Sequence, residues 1–535
     1  MEYDGLRDWL SIIEQRGELT TLEDVDWNLE MGAVVDVLYR EHPPYPPALI
    51  FDRIKDHKPG YRALFGHFAS PQRIALTLGI EEKFDHVLQF TRMYHEKMKA
   101  CVPLPRIEVK SGPVQENVQQ GDRVNLLDFP APLLHEKDGG RYLGTGHLVI
   151  TKDPDSEWVN VGTYRIMAQE RDTAAIYIGP GKHGSIHKEK YFEKHQPMPV
   201  NVVLGGDPLD WFAASCPVPA GVSEFDFAGG LRGAPTQVIR SDITGLPYPA
   251  DAEIVLEGEI RPGELREEGP FGEWPGYYAS PRSLEPFIRV HRVLHRHNPI
   301  LSCANPARPP HTLTLLRAIT RSAHVWEELE QAGVPEIRGV WSHEPGPRQF
   351  TVVSIKQRYP GHVKQAGLIA SQCFSGGYQN RFTIVVDDDI DPTRIDDVVW
   401  ALSTRCDPES GIDIQRRCWS SSLDPMIHPD SKVWLNSRAV IEACRPYEWR
   451  EKFPEVAETS PELRNKVLAR YGRAFSDCID HCSSTIWSAC HSARASGKAL
   501  LAIFTKLLQS LTPTKPSCYR QTDRSRGTLH ANHRC

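Results

Sequence analysis

Apolar positions fall into three textures along the chain, and each predicts a different kind of element. Near the start, Leu6, Trp9, Leu10 and Ile13 recur at helical spacing, and Gly17 stands where that helix should stop. A proline-rich turn at 42–47 leads into an apolar run at 48–51, read as a strand, and a second helical pattern covers 80–99. From about Leu126 the runs shorten to strand length at 147–151, 201–204 and 253–259, with Gly and Pro between them, as in an antiparallel β-rich domain. Beyond Pro310, helical patterns at 313–321, 362–372 and 395–404 alternate with apolar strands at 350–355 and 382–386, which argues for a layered α/β domain. No fixed-period repeat or low-complexity tract interrupts this order. The predicted fold class is mixed, α/β and β-rich: an N-terminal α/β region at 1–125, a β-rich cofactor-binding and catalytic domain at 126–309, a C-terminal α/β domain at 310–472, and an atypical tail at 473–535.

Composition narrows the function classes. With 535 residues, 40% of them hydrophobic, the chain can bury a large core, and a formal net charge of −7 argues against nucleic acid as a partner. The first ten residues lack the basic and apolar segments of a secretory signal, and no window is apolar enough for a membrane span, so a soluble cytoplasmic protein is expected. Seven of the twelve cysteines are scattered from Cys101 to Cys444 without pairing rhythm, which fits reduced thiols. The other five crowd into the tail, where nine Lys/Arg face three Asp. There Cys478, Cys482, Cys490 and His491 match no familiar zinc spacing, and 498–511 is a short amphipathic helix candidate.

Five segments carry candidate chemistry. EEGPFGEWPGYY at 267–278 sets Glu268 and Glu273 on a turn stiffened by Gly269, Pro270, Gly272, Pro275 and Gly276. Two carboxylates on one rigid turn can converge on a pocket, where burial moves a carboxyl toward proton-donor range; on a surface they are merely solvated. In NVGTYR at 160–165, Arg165 stands among apolar neighbours, and its fork calls for a carboxylate from a structural ion pair or from a ligand. GPGKHGSIH at 179–187 places Lys182 and His183 on a glycine-rich turn whose amides can cradle an anion, although ordinary loop histidines share that signature. SCPVPAGVSEFD at 215–226 puts Glu224 near a turn. VDDDID at 386–391 follows an apolar strand without a phosphate-loop sequence, so a helix cap at Asp391, with Pro392 opening the helix, explains it at least as well as Mg²⁺ binding.

Taken in order, NVGTYR, GPGKH, CPVPAGVSE, EGPFGEWPGYY, RYPGHVKQ and VVDDDIDP resemble the UbiD family of reversible decarboxylases, which use prenylated FMN. The resemblance spans about residues 1–471, and EGPFGE with the upstream arginine is its specific part. It implies a catalytic set of Arg165, Glu268 and Glu273, with Glu273 as proton donor. It also implies a divalent ion, Mn²⁺ or Mg²⁺, on Asn160, His183 and Glu224, with K⁺ as a further ion. The implied flavin contacts are Gly162, Thr163, Tyr164, Arg165, Lys182, Ser215, Cys216 and Pro217, together with the metal ligands and, as a further phosphate cation, Arg381. A flavin prenyltransferase would supply the cofactor, and a homo-oligomer, dimer or hexamer, is expected. The expected substrate is an aromatic acid, specifically a hydroxybenzoate such as protocatechuate or 4-hydroxybenzoate. Trp274 would shorten the slot, His311 would meet the phenol, and Ser420 and Leu423 would line it. The alternatives are cinnamate-, ferulate- or heteroaromatic-acid decarboxylation and, from another class, a non-catalytic flavin-binding or assembly protein of the same fold.

Overall fold

The structure, a computed structural model, describes residues 1–41, 45–279, 281–346, 348–428, 430–431 and 433–472. The tail's cysteine cluster and the helix candidate at 498–511 lie outside the described residues. The chain divides into two compact units, Met1–Glu451 and Lys452–Cys535. In the second, residues 461–472 are helical.

The first unit opens with the predicted amphipathic helix, Gly5–Gln15, which buries Leu6, Trp9, Leu10 and Ile13 and ends before Gly17 at a φ of 71°. It lies against a four-stranded sheet built from Leu19–Glu23, Ala48–Asp52, Arg62–Phe65 and Ile300–Cys303. The last strand comes from the far end of the central region, so the N-terminal sheet is completed by Ile300–Cys303, 238 positions downstream of its partner Arg62–Phe65. The helix expected over 80–99 begins only at Val87, because the charged stretch Glu81, Glu82 and Lys83 offers no buried face and the His86 side chain caps Leu88 N–H.

The centre is a nine-stranded sheet in which every neighbouring pair is antiparallel. Its two longest strands, Ile254–Glu268 and Ser283–His295, form a hairpin whose connection is the EGPFGEWPGYY segment. The strand expected to end at Glu259 therefore runs on to Glu268, its outer half alternating exposed and half-buried residues that apolar patterning alone does not show. Val159–Gly162 is the last strand at one end of the sheet, and Ile166–Ala168 is second from the other end. Three residues, Thr163, Tyr164 and Arg165, join them. Three extended residues reach about 10 Å, so the sheet must curl until its ends meet, and Arg165 sits on that closure.

A helix at Thr314–Gln331 leads into a five-stranded mixed sheet of Ile337–Ser342, Phe350–Ile355, Phe382–Asp387, Leu435–Ala443 and Ile412–Trp419. Its three inner strands are parallel, and the predicted helices at His362–Gln372 and Ile395–Arg405 are present. The acidic run serves this sheet: Asp387 and Asp389 pair with Arg405 and Arg445. Asp391 turns the chain by accepting from Thr393 N–H, and the helix begins at Ile395 rather than at Pro392. Seven cysteines among the described residues are free thiols, and no described helix is long and apolar enough to cross a membrane.

Candidate active site

The barrel closure and the hairpin tip meet at Arg165. Its Nε and Nη2 donate to Glu268 at 2.8 and 2.7 Å, and Nη1 donates to Glu273. Tyr142 adds a third bond to Glu268 at 3.0 Å. The guanidinium stacks 4.3 Å from the Tyr177 ring and 5.4 Å from that of Phe271. Burial works against its charge, but the hydrogen bonds to Glu268 and the charges of Glu273 and Glu268 outweigh it, so Arg165 is held protonated more firmly than usual. Glu268 is fully buried at 0% exposure and lies behind Arg165, outside the cavity wall. Glu273, 7% exposed, faces the cavity. The tip is fixed by its own turns and by Asp138, which accepts from Gly272 N–H at 2.8 Å. The pair thus differs in access: one carboxylate orients the arginine while the other meets whatever enters.

The cavity measures about 370 Å³ and is walled by both the barrel and the C-terminal region. Asn160, Gly162, Thr163, Tyr164, Arg165, Lys182, His183, Ser215, Cys216, Pro217, Glu224, Glu273, Trp274 and Leu423 all line it. Asn160 is on the last barrel strand, where its amide bonds Thr151, and the next residue's N–H, that of Val161, donates 2.6 Å to Glu224. Glu224 opens the helix Glu224–Arg232 and His183 opens His183–Glu193. The Trp158 ring packs 4.8 Å against His183 while its N–H bonds Val222, which ties the two helix starts together. Burial raises the Glu224 carboxyl to about 8, the Val161 N–H bond opposing, and no basic side chain pairs with it among the described residues. Close approach explains two glycines: a Cβ on Gly162 or Gly184 would stand 2.6 or 2.7 Å from Tyr164, whose hydroxyl accepts from Gly184 N–H.

Besides Glu268, three expected site residues lie away from the cavity wall. Arg381 is committed to Asp424. Ser420 donates to the same Asp424 carboxylate at 2.8 Å. His311 is buried with Nε2 at 3.2 Å from the Trp274 carbonyl and Nδ1 accepting from Leu313 N–H, and burial, then Arg317, pushes it down to about 3. Both ring nitrogens are used by backbone, so it buttresses Trp274 instead of meeting a ligand. The cavity contains residues that the sequence pattern did not single out: Tyr177, Phe271, Tyr378, and the cations Arg317, Arg321 and Arg348. Arg317 and Arg321 were legible, since they stand four apart on the face that carries Leu313, Leu316 and Thr320. Burial, followed by Arg348, lowers Arg317 to about 9.

Comparison with known proteins agrees over most of the chain. Three family models match: the N-terminal, Rift-related and C-terminal domains of 3-octaprenyl-4-hydroxybenzoate carboxy-lyase, at 10–90, 106–309 and 314–443. A pyrrole-2-carboxylic acid decarboxylase of Pseudomonas aeruginosa is 35% identical over 417 residues, covering 75% of this chain and 83% of the relative. A phenolic acid decarboxylase of Sedimentibacter hydroxybenzoicus is 31% identical, covering 83% and 92%. Among solved structures, the UbiD-class enzyme HmfF of Pelotomaculum thermopropionicum in complex with FMN superimposes with a TM-score of 0.76 at 28% identity, covering 88% of this chain and all of that one. An evolved dimeric form of the same enzyme, solved with prFMN, gives 0.73 at 27%, covering 87% and 99%. The chain belongs to the UbiD family of carboxy-lyases.

Proposed function

We propose that the protein is a prenylated-FMN-dependent, reversible, non-oxidative decarboxylase of a single-ring aromatic carboxylic acid. The observation that carries this is the buried Arg165 bridging Glu268 and Glu273 at the wall of a cavity lined by aromatic rings. Loss of CO₂ breaks the bond between ring and carboxyl carbon, and the ring carbon takes a proton in its place. The electron pair left on an sp² carbon is beyond what side chains hold, so an electron sink is required, and prenylated FMN supplies one when bound. The residues present fit that group. Asn160, His183 and Glu224 offer oxygen and imidazole donors, and Glu224 is a buried carboxylate in want of a cation, as a Mn²⁺ or Mg²⁺ held beside a phosphate would provide.

Around that group the chain's own residues divide the work. Arg165 holds the substrate carboxylate or its own glutamates in place. Glu268, bonded by Arg165 and Tyr142, fixes the guanidinium plane. Glu273 faces the cavity and delivers the proton to the ring carbon. Trp274, Phe271 and Tyr177 present aromatic faces to the cavity, against which a planar ring can pack. The relatives act on a pyrrole acid and on phenolic acids, and these faces suit either ring. The hydroxybenzoate preference loses its intended partner at His311, whose nitrogens are both engaged. Protein produced alongside a flavin prenyltransferase should carry a cofactor heavier than FMN by a prenyl group, with metal, and should release CO₂ from an aromatic acid. Prenylated flavin bound without turnover of any aromatic acid would leave the non-catalytic flavin-binding alternative.

A further inference from the structure

The side chain of Asn160, one of the three proposed ligands of the divalent ion, is held from behind. Its Nδ2 donates to Thr151 Oγ1 at 3.2 Å, across the antiparallel pair in which Thr151 and Asn160 stand opposite each other, and reaches the Tyr164 hydroxyl at 3.5 Å. Thr151 Oγ1 lies in turn 3.0 Å from His187 Nδ1. All three residues are buried, at 1%, 0% and 0% exposure for Asn160, Thr151 and His187. His187 stands one turn after His183 in the helix His183–Glu193, and the Trp158 ring packs T-shaped against both imidazoles at 4.8 Å. The chain of contacts thus runs from one proposed ligand, Asn160, to the helix that carries another.

His187 decides which end of the Asn160 amide faces the site. An amide has an oxygen at one end and an NH₂ at the other, and only the oxygen can bind a cation. Thr151 has a single hydroxyl hydrogen. If His187 Nδ1 accepts it, none is left for Asn160 to receive, so Asn160 turns its NH₂ to Thr151 and keeps Oδ1 for an ion. If Nδ1 carried the ring hydrogen, the Thr151 hydroxyl would be free to donate to Oδ1, and the NH₂ would face the site and repel a cation. Burial, opposed by the charge of Asp153, pushes His187 down to about 4, so the ring is neutral and has one N–H to place. With the Asn160 NH₂ toward Thr151, that N–H belongs on Nε2, which is buried without a partner. An unpaired buried donor costs about 1–3 kcal/mol, and an apolar side chain would avoid the cost. Stability therefore does not account for the imidazole.

We infer that Thr151 and His187 are positioning residues for the divalent ion: His187 accepts the Thr151 hydroxyl, Thr151 accepts the Asn160 NH₂, and Asn160 Oδ1 is thereby left to bind the ion with His183 and Glu224. The inference rests on the reading of that trio as ligands, and turnover does not enter it. The test titrates flavin-loaded, metal-stripped protein with Mn²⁺ and follows the bound ion by electron paramagnetic resonance. Thr151→Val keeps the shape and removes the hydroxyl, and His187→Leu removes the acceptor. Each should weaken Mn²⁺ binding by about tenfold or more, the range for partners that orient a metal ligand, and should alter the spectrum of the ion that still binds. Thr151→Ser, which keeps the hydroxyl, and His187→Asn, whose side-chain oxygen can replace Nδ1 as acceptor, should restore most of the affinity. The decisive arm starts from Asn160→Asp. A carboxylate presents oxygen at either end, so adding Thr151→Val to Asn160→Asp should cost no further affinity, whereas a general loosening of the fold would cost as much in both backgrounds. If His187→Leu does not fold, the Thr151 variants and this double variant still decide. Wild-type affinity and spectrum in Thr151→Val would overturn the inference and leave the metal site standing, as would an equal loss in the Asn160→Asp background. Wild-type protein that binds flavin but no Mn²⁺ would overturn the ligand reading itself, and the inference with it.

Discussion

Arg165 shows how one side chain organises chemistry. It is buried between two aromatic rings and two carboxylates, so removing either acid changes more than one contact. Glu273→Gln should lower turnover by about 10²-fold or more, the usual range for a lost general acid, while flavin stays bound, because the amide keeps the shape but cannot donate the proton. Steady-state CO₂ release within tenfold of wild type would remove Glu273 from its role. Glu268→Ala leaves Arg165 half-paired in a dry site and should destabilise by about 3–5 kcal/mol, read as a drop in the urea midpoint; an unchanged midpoint would mean that water replaces the carboxylate. Glu224→Ala and His183→Ala should each purify with less metal and flavin, since the phosphate loses its compensating ion, and unchanged content of both would place the metal elsewhere. At this scale the sequence was informative where a motif was dense. EGPFGEW and NVGTYR pointed to residues that meet in space. His311 was misplaced because a histidine beside prolines looks the same from the sequence whether its nitrogens face a cavity or a carbonyl.

Among elements, the long hairpin and the three-residue closure decide where the site forms. Helices with a clean apolar stripe were legible, as Gly5–Gln15 and His362–Gln372 show. The outer half of Ile254–Glu268 was not, because there both faces carry charge and pairing with Ser283–His295, not apolar burial, holds it extended. Nor was Ile300–Cys303 legible as part of the N-terminal sheet, since strand pairing across such a separation leaves no local mark. Gly162 is a point of close approach at the closure, with the Tyr164 ring against its backbone. Gly162→Ala drives a Cβ into Tyr164, which is pinned by Asn160 and Gly184. The expected cost is about 1–3 kcal/mol, with weaker flavin retention from the displaced strand end. Thermal melts and flavin content equal to wild type would show that Tyr164 yields.

At the scale of the whole molecule, buried histidines make folding pH-sensitive. His67 is fully buried, and burial, then Arg73, pushes it down to about 3. Its folded pKa lies below the ordinary 6.5, so the unfolded chain takes up a proton that the folded one refuses. The stabilisation is present above about pH 6.5 and is lost as pH falls toward 3, at up to about 1.4 kcal/mol per pH unit. The stability gap between wild type and His67→Gln should therefore narrow between pH 6.5 and 5, and a constant gap in urea titrations would contradict the burial argument. The central claim concerns the cavity as a whole, and CO₂ release from a panel of aromatic mono- and dicarboxylic acids tests it most directly, with the same protein loaded either with prenylated FMN or with FMN. Turnover of at least one acid only in the prenylated form is the predicted result. Silence across the panel with prenylated cofactor and metal in place, or equal turnover with plain FMN, would contradict it.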